Sequence, residues 1–237
     1  MHKNLKYVVL FSSVVLYATS CSEAPKSEEA QVGEEQAVAV SNAGTSYTVD
    51  TSASQIMWVG TKVTGRHQGT FDIIEGTLQV ENGQLEAGSF VMDINSLAVV
   101  DEGMGNEDRV KLTTHLKSGD FFESEKFPEA RFELSSVKPY EAGGTAEAST
   151  ASDSEFKLEN PTHLVTGNLT LKDSTKSITF PARISIDANQ VSAQAKFNID
   201  RTHWGLVYRA DQSFGDRMIH PEVHLSIDLM AKKNLAM

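Results

Sequence analysis

Apolar and polar side chains alternate with a period of two through most of the chain after residue 47. That spacing predicts strands with one dry face. The first clear run is 55–63, with Ile56, Trp58 and Gly60 on one face and Met57, Val59 and Thr61 on the other. Both faces are partly apolar, as in a barrel wall that is packed within and also covered outside. Residues 65–69 turn, and 71–81 continues with Leu78 and Val80 alternating before Asn82-Gly83, a strong hairpin signal. Further runs follow at 89–95, 130–138, 163–172, 177–186, 191–199 and 223–230. In 191–199, Val191, Ala193, Ala195, Phe197 and Ile199 share a face. In 223–230, Val223, Leu225, Ile227 and Leu229 face in, while His224, Ser226 and Asp228 face out. Pro181 breaks its run, which predicts an edge or a bulge there.

Residues 101–119 change period. Leu112 and Leu116 lie four apart with Val110 and Thr113 beside them, so the pattern predicts a helix with an apolar stripe. Asn106 is its candidate cap, Glu107 and Asp108 suit the first turn, and Lys117 and Gly119 suit the end. The expected fold is all-β with one short helix, an antiparallel barrel of about eight strands. Its inward set is Val, Ile, Leu, Phe and Ala. A hollow barrel of this kind would take one slender apolar ligand, and a filled one would show the same alternation.

The 237 residues suit one such domain. At the start, Lys3 and Lys6 precede an apolar run at 7–17, then Ala18-Thr19-Ser20 and Cys21. This predicts a secretory signal over 1–20, too short to span a bilayer. Cys21 is the only cysteine, so an intramolecular disulfide is excluded. Residues 21–45 are acidic and poor in large apolar groups, which predicts a disordered tether. At about 3.3 Å per residue it could hold the domain tens of ångströms from its anchor. Loss of Lys3 and Lys6 leaves 19 basic residues against 32 acids, so the net charge moves from −11 to −13. Such a surface argues against nucleic acid as partner and against adhesion to a membrane by charge. Residues 140–158 contain Gly143-Gly144 among Ala, Ser, Thr and acids, and predict an expanded loop with no core of its own.

Little in the chain points to catalysis. It has no Gly-x-Ser-x-Gly elbow, and Gly103-x-Gly105 lacks the third glycine of a dinucleotide loop. The histidines after the signal are His67, His115, His163, His203, His220 and His224, each expected at the surface or in a loop. His220 and His224 sit four apart on a strand, about 13 Å, too far for one ion. No metal and no cofactor are expected. The stretch 197–208 ends a strand with Asp200 beside Arg201 and then Trp204-Gly205. That indole either lies at a mouth or plugs the core. Phe121 and Phe122 either floor a cavity or staple the helix to the sheet.

Taken in order, these pieces resemble the YceI-like family. Ile199-Asp200-Arg201-Thr202 with Trp204-Gly205 is similar to its penultimate strand and loop, and Tyr47-Thr48-Val49-Asp50 to its opening. Ile56-x-Trp58 with Gly60 and Lys62, then His67-x-Gly69-x-Phe71 and Gly76, resembles its first hairpin. His115-Leu116-Lys117-Ser118 with Asp120-Phe121-Phe122 and Pro128 resembles its helix and following turn. Gly167-Asn168-Leu169-Thr170 with Thr175-Lys176 and Pro181 resembles a later hairpin. The resemblance covers residues 46–232. It implies a lipocalin-like barrel that holds a polyisoprenoid or fatty-acid-like chain, closed at one end by the helix, and it implies homodimers among relatives. The candidate ligand contacts are Trp58, His67, Phe71, His115, Leu116, Phe121, Phe122, Phe132, Phe197, Arg201 and Trp204. The head group is expected near Arg201, His67 and Trp204. The start of the chain resembles a lipoprotein signal, although Ala18 stands where Leu is usual, and Cys21 is then the lipidation site. The expectation is a non-enzymatic, lipid-binding lipoprotein of the bacterial cell envelope, facing the periplasm or the cell surface. Two alternatives stand beside it: an envelope interaction protein with a filled core, and an enzyme using His67 or His115 as a base.

Overall fold

The alternating runs become long staves. The structure, a computed structural model, describes residues 24–41, 43–141 and 154–234. Its strands are β1 (Gln31–Gly33), β2 (Thr45–Val49), β3 (Gln55–Lys62), β4 (Gly65–Glu81), β5 (Gln84–Val99), β6 (Glu129–Pro139), β7 (His163–Leu171), β8 (Ser174–Ile186), β9 (Gln190–Asp200) and β10 (Ile219–Lys233). One helix, α1 (Asn106–Lys117), follows β5. From β3 to β10 each strand pairs antiparallel with the next, and β10 pairs back to β3. The result is a closed eight-stave barrel. At the β4–β5 hairpin Asn82 and Gly83 take φ of 51° and 78°, the left-handed pair a tight two-residue turn requires.

Two short strands complete the wall. β3 is much shorter than its neighbours, and β2 continues its stave, pairing with both β4 and β10. β1 fills a fork between β8 and β9. It pairs with β8 through Thr179, whereas β9 pairs with β8 only from Ala182. Pro181 sits at the fork, where its missing N–H costs no ladder bond on the open side.

The N-terminal segment therefore differs from the expected tether. Over 24–41 it straps the outside of the barrel. Glu29 bridges Asn198 in parallel, and the Gln36 N–H donates to Asn168 Oδ1 at 2.9 Å while Asn168 Nδ2 donates back to the Gln36 carbonyl at 2.7 Å. The Ala39 N–H reaches the Leu134 carbonyl at 2.8 Å, beside a bulge in β6. Composition missed this because the order comes from hydrogen bonds. The fork and the bulge leave backbone groups that need partners, and the strap supplies them. The signal at 1–20, Cys21 and residues 142–153 of the long loop lie outside the described residues. The end of that loop, at Phe156, packs edge-on against His224 at 5.1 Å.

The helix forms where its period predicts, with corrected details. Gly105 occupies the cap and Asn106 is the first helical residue, with no side-chain cap. Val110 is exposed, because two residues from Leu112 is about 200° around a helix. Leu112 and Leu116 pack toward the core. The end is made by Ser118, whose N–H and hydroxyl both donate to the His115 carbonyl.

Candidate ligand cavity and its mouth

Inward-facing residues of all eight staves surround a cavity of about 510 Å³, within the range of small-molecule sites. Trp58, Phe71, Ile94, Phe132, Leu169, Phe180, Phe197 and Leu225 represent β3 through β10 in turn. Aromatic rings form a band along half the wall: Phe90 stacks on Phe132 at 5.3 Å, Phe132 meets Phe180 at 5.9 Å, and Phe180 stacks on Phe197 at 4.2 Å. β7 contributes Gly167 beneath this band. A Cβ there would lie 2.3 Å from the Phe132 ring.

Polar groups gather at one end. Lys62, Thr64 and His67 come from the β3–β4 hairpin, His115 from α1, and Arg209, Asp216, Arg217 and His220 from the segment before and into β10. This is the mouth. His115 packs edge-on against Phe121 at 5.3 Å and Tyr208 at 5.1 Å, tying α1 to the 205–218 segment. His67 Nδ1 lies 2.7 Å from Asp101 Oδ2, and Asp101 Oδ1 accepts from the Gln68 N–H at 2.8 Å. His115 Nε2 lies 2.8 Å from Asp120. Each ring is thus held by a carboxylate.

Ten of the eleven candidate contacts line the cavity: Trp58, His67, Phe71, His115, Leu116, Phe121, Phe122, Phe132, Phe197 and Arg201. Phe121 and Phe122 both line it and staple α1, the latter edge-on to Phe71 at 5.5 Å. Trp204 does not line it. It is 1% exposed, and its indole N–H donates to the Leu169 carbonyl at 2.8 Å. The short turn Arg201–Trp204, capped by Asp200 and ended by Gly205 at φ 73°, drives the ring into the core as a plug.

Arg201 also departs from its expected part. It is buried, and its guanidinium donates to the carbonyls of Leu206, Tyr208, Ile219 and His220. Burial lowers its pKa from the ordinary value, while the charges of Asp200 and Glu222 oppose that shift. Its donors are committed to backbone, so it pins the mouth loop and is not a loose cation for a head group. The cations left for that task are Lys62, Arg209 and Arg217. Sequence reasoning passed over them, although the charged stretch after Trp204 was the available signal.

His224 corrects the expectation of surface histidines. It faces outward on β10 yet is 1% exposed, with the Phe156 ring packed edge-on against it. Nδ1 lies 3.0 Å from Asn198 Oδ1 and Nε2 3.0 Å from Ser226 Oγ. Burial, with a smaller contribution from the Lys196 charge, lowers its pKa to about 4. Among the described residues no cluster of three His, Cys, Asp or Glu could hold a metal ion, and no helix is long and apolar enough to cross a membrane.

Residues 47–231 match the YceI-like domain. The chain belongs to the YceI-like family. Among solved structures, Burkholderia cenocepacia BcnA is similar at 18% identity and a TM-score of 0.56, over 77% of this chain and 98% of that one. A polyisoprenoid binding domain from Saccharophagus degradans, implicated in plant cell wall breakdown, is similar at 15% identity and a TM-score of 0.55, over 80% of this chain and 99% of that one. Likeness at this identity establishes the fold. Comparison with curated protein sequences yields no significant match. In this YceI-like barrel, then, the fold is shared with its relatives.

Proposed function

We propose that this chain is a cell-envelope lipoprotein that binds or carries a long-chain amphiphile, polyisoprenoid or fatty-acid-like, inside its barrel. The observation that carries the reading is the apolar cavity of about 510 Å³ opening at a polar mouth. Each methylene moved from water into such a space contributes about 0.8 kcal/mol, so ten contribute about 8 kcal/mol before the costs of ordering the chain. A longer tail contributes in proportion, so few polar contacts are needed once those costs are met. Family membership and the polyisoprenoid-binding description of one structural neighbour support the same class of ligand. The sequence of residues 1–21 supports secretion and acylation of Cys21. Native mass spectrometry and lipid extraction of the purified protein test the reading. A co-purifying long-chain lipid, or saturable uptake of a fluorescent fatty acid, is expected, and absence of both refutes it.

The carboxylates beside His67 and His115 support a second reading, a general base acting on a lipid-like substrate. Turnover of an acyl ester that disappears in His67→Asn or His115→Asn would favour it. Binding without turnover favours the carrier.

A further inference from the structure

The strap fixes how far the barrel can stand from an acyl anchor. Pro25 accepts a hydrogen bond from Asn198 Nδ2 at 2.9 Å, so the chain is tied to the wall only four residues after Cys21. Four residues reach at most about 14 Å. Asn198 lies two residues from Asp200, the mouth end of β9, which is about 7 Å along the strand. It lies eight residues from Gln190 at the other end, about 26 Å along the strand. An anchor at Cys21 can therefore reach the plane of the mouth and falls short of the plane of the far end.

The mouth end carries a matching surface. Val207 is 61% exposed, Phe214 40% and Val110 57%. The first two belong to the 205–218 segment and the third to α1, the elements that frame the opening. Val38, Val40 and Ile74, also exposed, lie on the strap and on β4. Lys62, Arg209 and Arg217 at the rim are placed for lipid phosphates and carbonyls, although the acidic chain as a whole gains nothing from an anionic bilayer.

We infer that the mouth end of the barrel docks on a lipid bilayer, with Val207, Phe214 and Val110 entering the interface, so that the amphiphile passes between membrane and cavity without crossing water. This rests on the reading of Cys21 as acylated. The test uses the full chain, matured in a bacterial host and reconstituted in phosphatidylcholine vesicles with brominated acyl chains. A polarity-sensitive fluorophore is attached at Val207→Cys near the mouth or at Asn189→Cys in the exposed far-end turn, and mass spectrometry reads the mature N-terminus. The expected result is an acylated Cys21, loss of fluorescence from the Val207 position, and no loss from the Asn189 position. An acylated Cys21 with an unquenched Val207 probe, or with stronger quenching at Asn189, overturns the docking alone. A mature chain with no acyl mass at Cys21 overturns the anchor reading and the docking built on it.

Discussion

Replacing Ala195 by Phe tests whether the cavity is the binding site. Ala195 is buried, faces inward on β9, and stands in register with Ala182 on β8 and Ile227 on β10. Small side chains at 182, 193 and 195 leave little side-chain volume in this part of the lining. Phe adds six ring carbons there and takes the place of about as many ligand carbons. At about 0.8 kcal/mol each, the loss of binding approaches 5 kcal/mol, or about three and a half decades in Kd. A ligand that slides toward the mouth would recover part of this, so two to three decades is the expected range. Titration of a fluorescent long-chain fatty acid reads the affinity, and urea unfolding of the ligand-free protein reads stability. If the space is open, the ring fills it and stability is unchanged or raised. If side chains already meet across the axis, overpacking costs about 1–3 kcal/mol. A folded Ala195→Phe variant with undiminished affinity, or one destabilised by that amount, refutes the reasoning.

Four further outcomes are expected. Arg201→Lys should destabilise by about 3–5 kcal/mol in urea unfolding, because one ammonium cannot serve the four carbonyls held by the guanidinium; a cost below 1 kcal/mol would show the residue is not a scaffold. Gly167→Ala should cost about 1–3 kcal/mol, since its Cβ meets the Phe132 ring and the Glu133 carbonyl, which lies 2.7 Å away. Asn168→Ala should release the strap at Gln36 and cost about 1–3 kcal/mol, with faster amide exchange confined to residues 31–39 as the sign that order there depends on this pair. His224 has a folded-state pKa of about 4 against an ordinary 6.5, so the unfolded chain takes up its proton first as pH falls. Stability should therefore drop by about 2 kcal/mol between pH 7.5 and 5 and level off below pH 4, a slope that His224→Gln should flatten if the assignment is correct.

The barrel was legible because it is written in parity. Once Val191, Ala193, Ala195, Phe197 and Ile199 face one way, the wall and its lining follow. Whether the barrel was hollow was not legible, because alternation reports which side a residue faces and says nothing of the distance to the opposite wall. The strap was invisible for a different reason. Gln36, Ala39 and Glu29 are ordered by hydrogen bonds to Asn168, Leu134 and Asn198, and hydropathy does not register such bonds. His224 was misplaced for the same cause. Its outward parity was read correctly, but Phe156 packs on that outer face and the strap is bonded to its neighbour Asn198. Asn106 shows the ordinary one-residue error of helix starts, whereas Val110 was set beside a stripe from which it lies about 200° away.

The most recognisable motif of the chain is not the part that chooses a ligand. Asp200, Arg201, Trp204 and Gly205 build a turn, bind loop carbonyls and plug the core, and each is spent on holding the mouth in shape. On the proposed function, the cavity behind it distinguishes tails weakly, since each added methylene is worth about the same small increment. An apolar pocket rejects a near-isostere by only about 1–3 kcal/mol, whereas a site built to hydrogen-bond a polar group rejects its absence far more strongly. On the proposed function, head-group selectivity is expected to come from Lys62, His67, Arg209, Asp216 and Arg217 at the rim. These residues stand on a hairpin and on the segment before β10, where side chains can change without disturbing the wall. Substitutions at the rim can then alter the fit to a head group while Arg201 and Trp204 hold the mouth in shape.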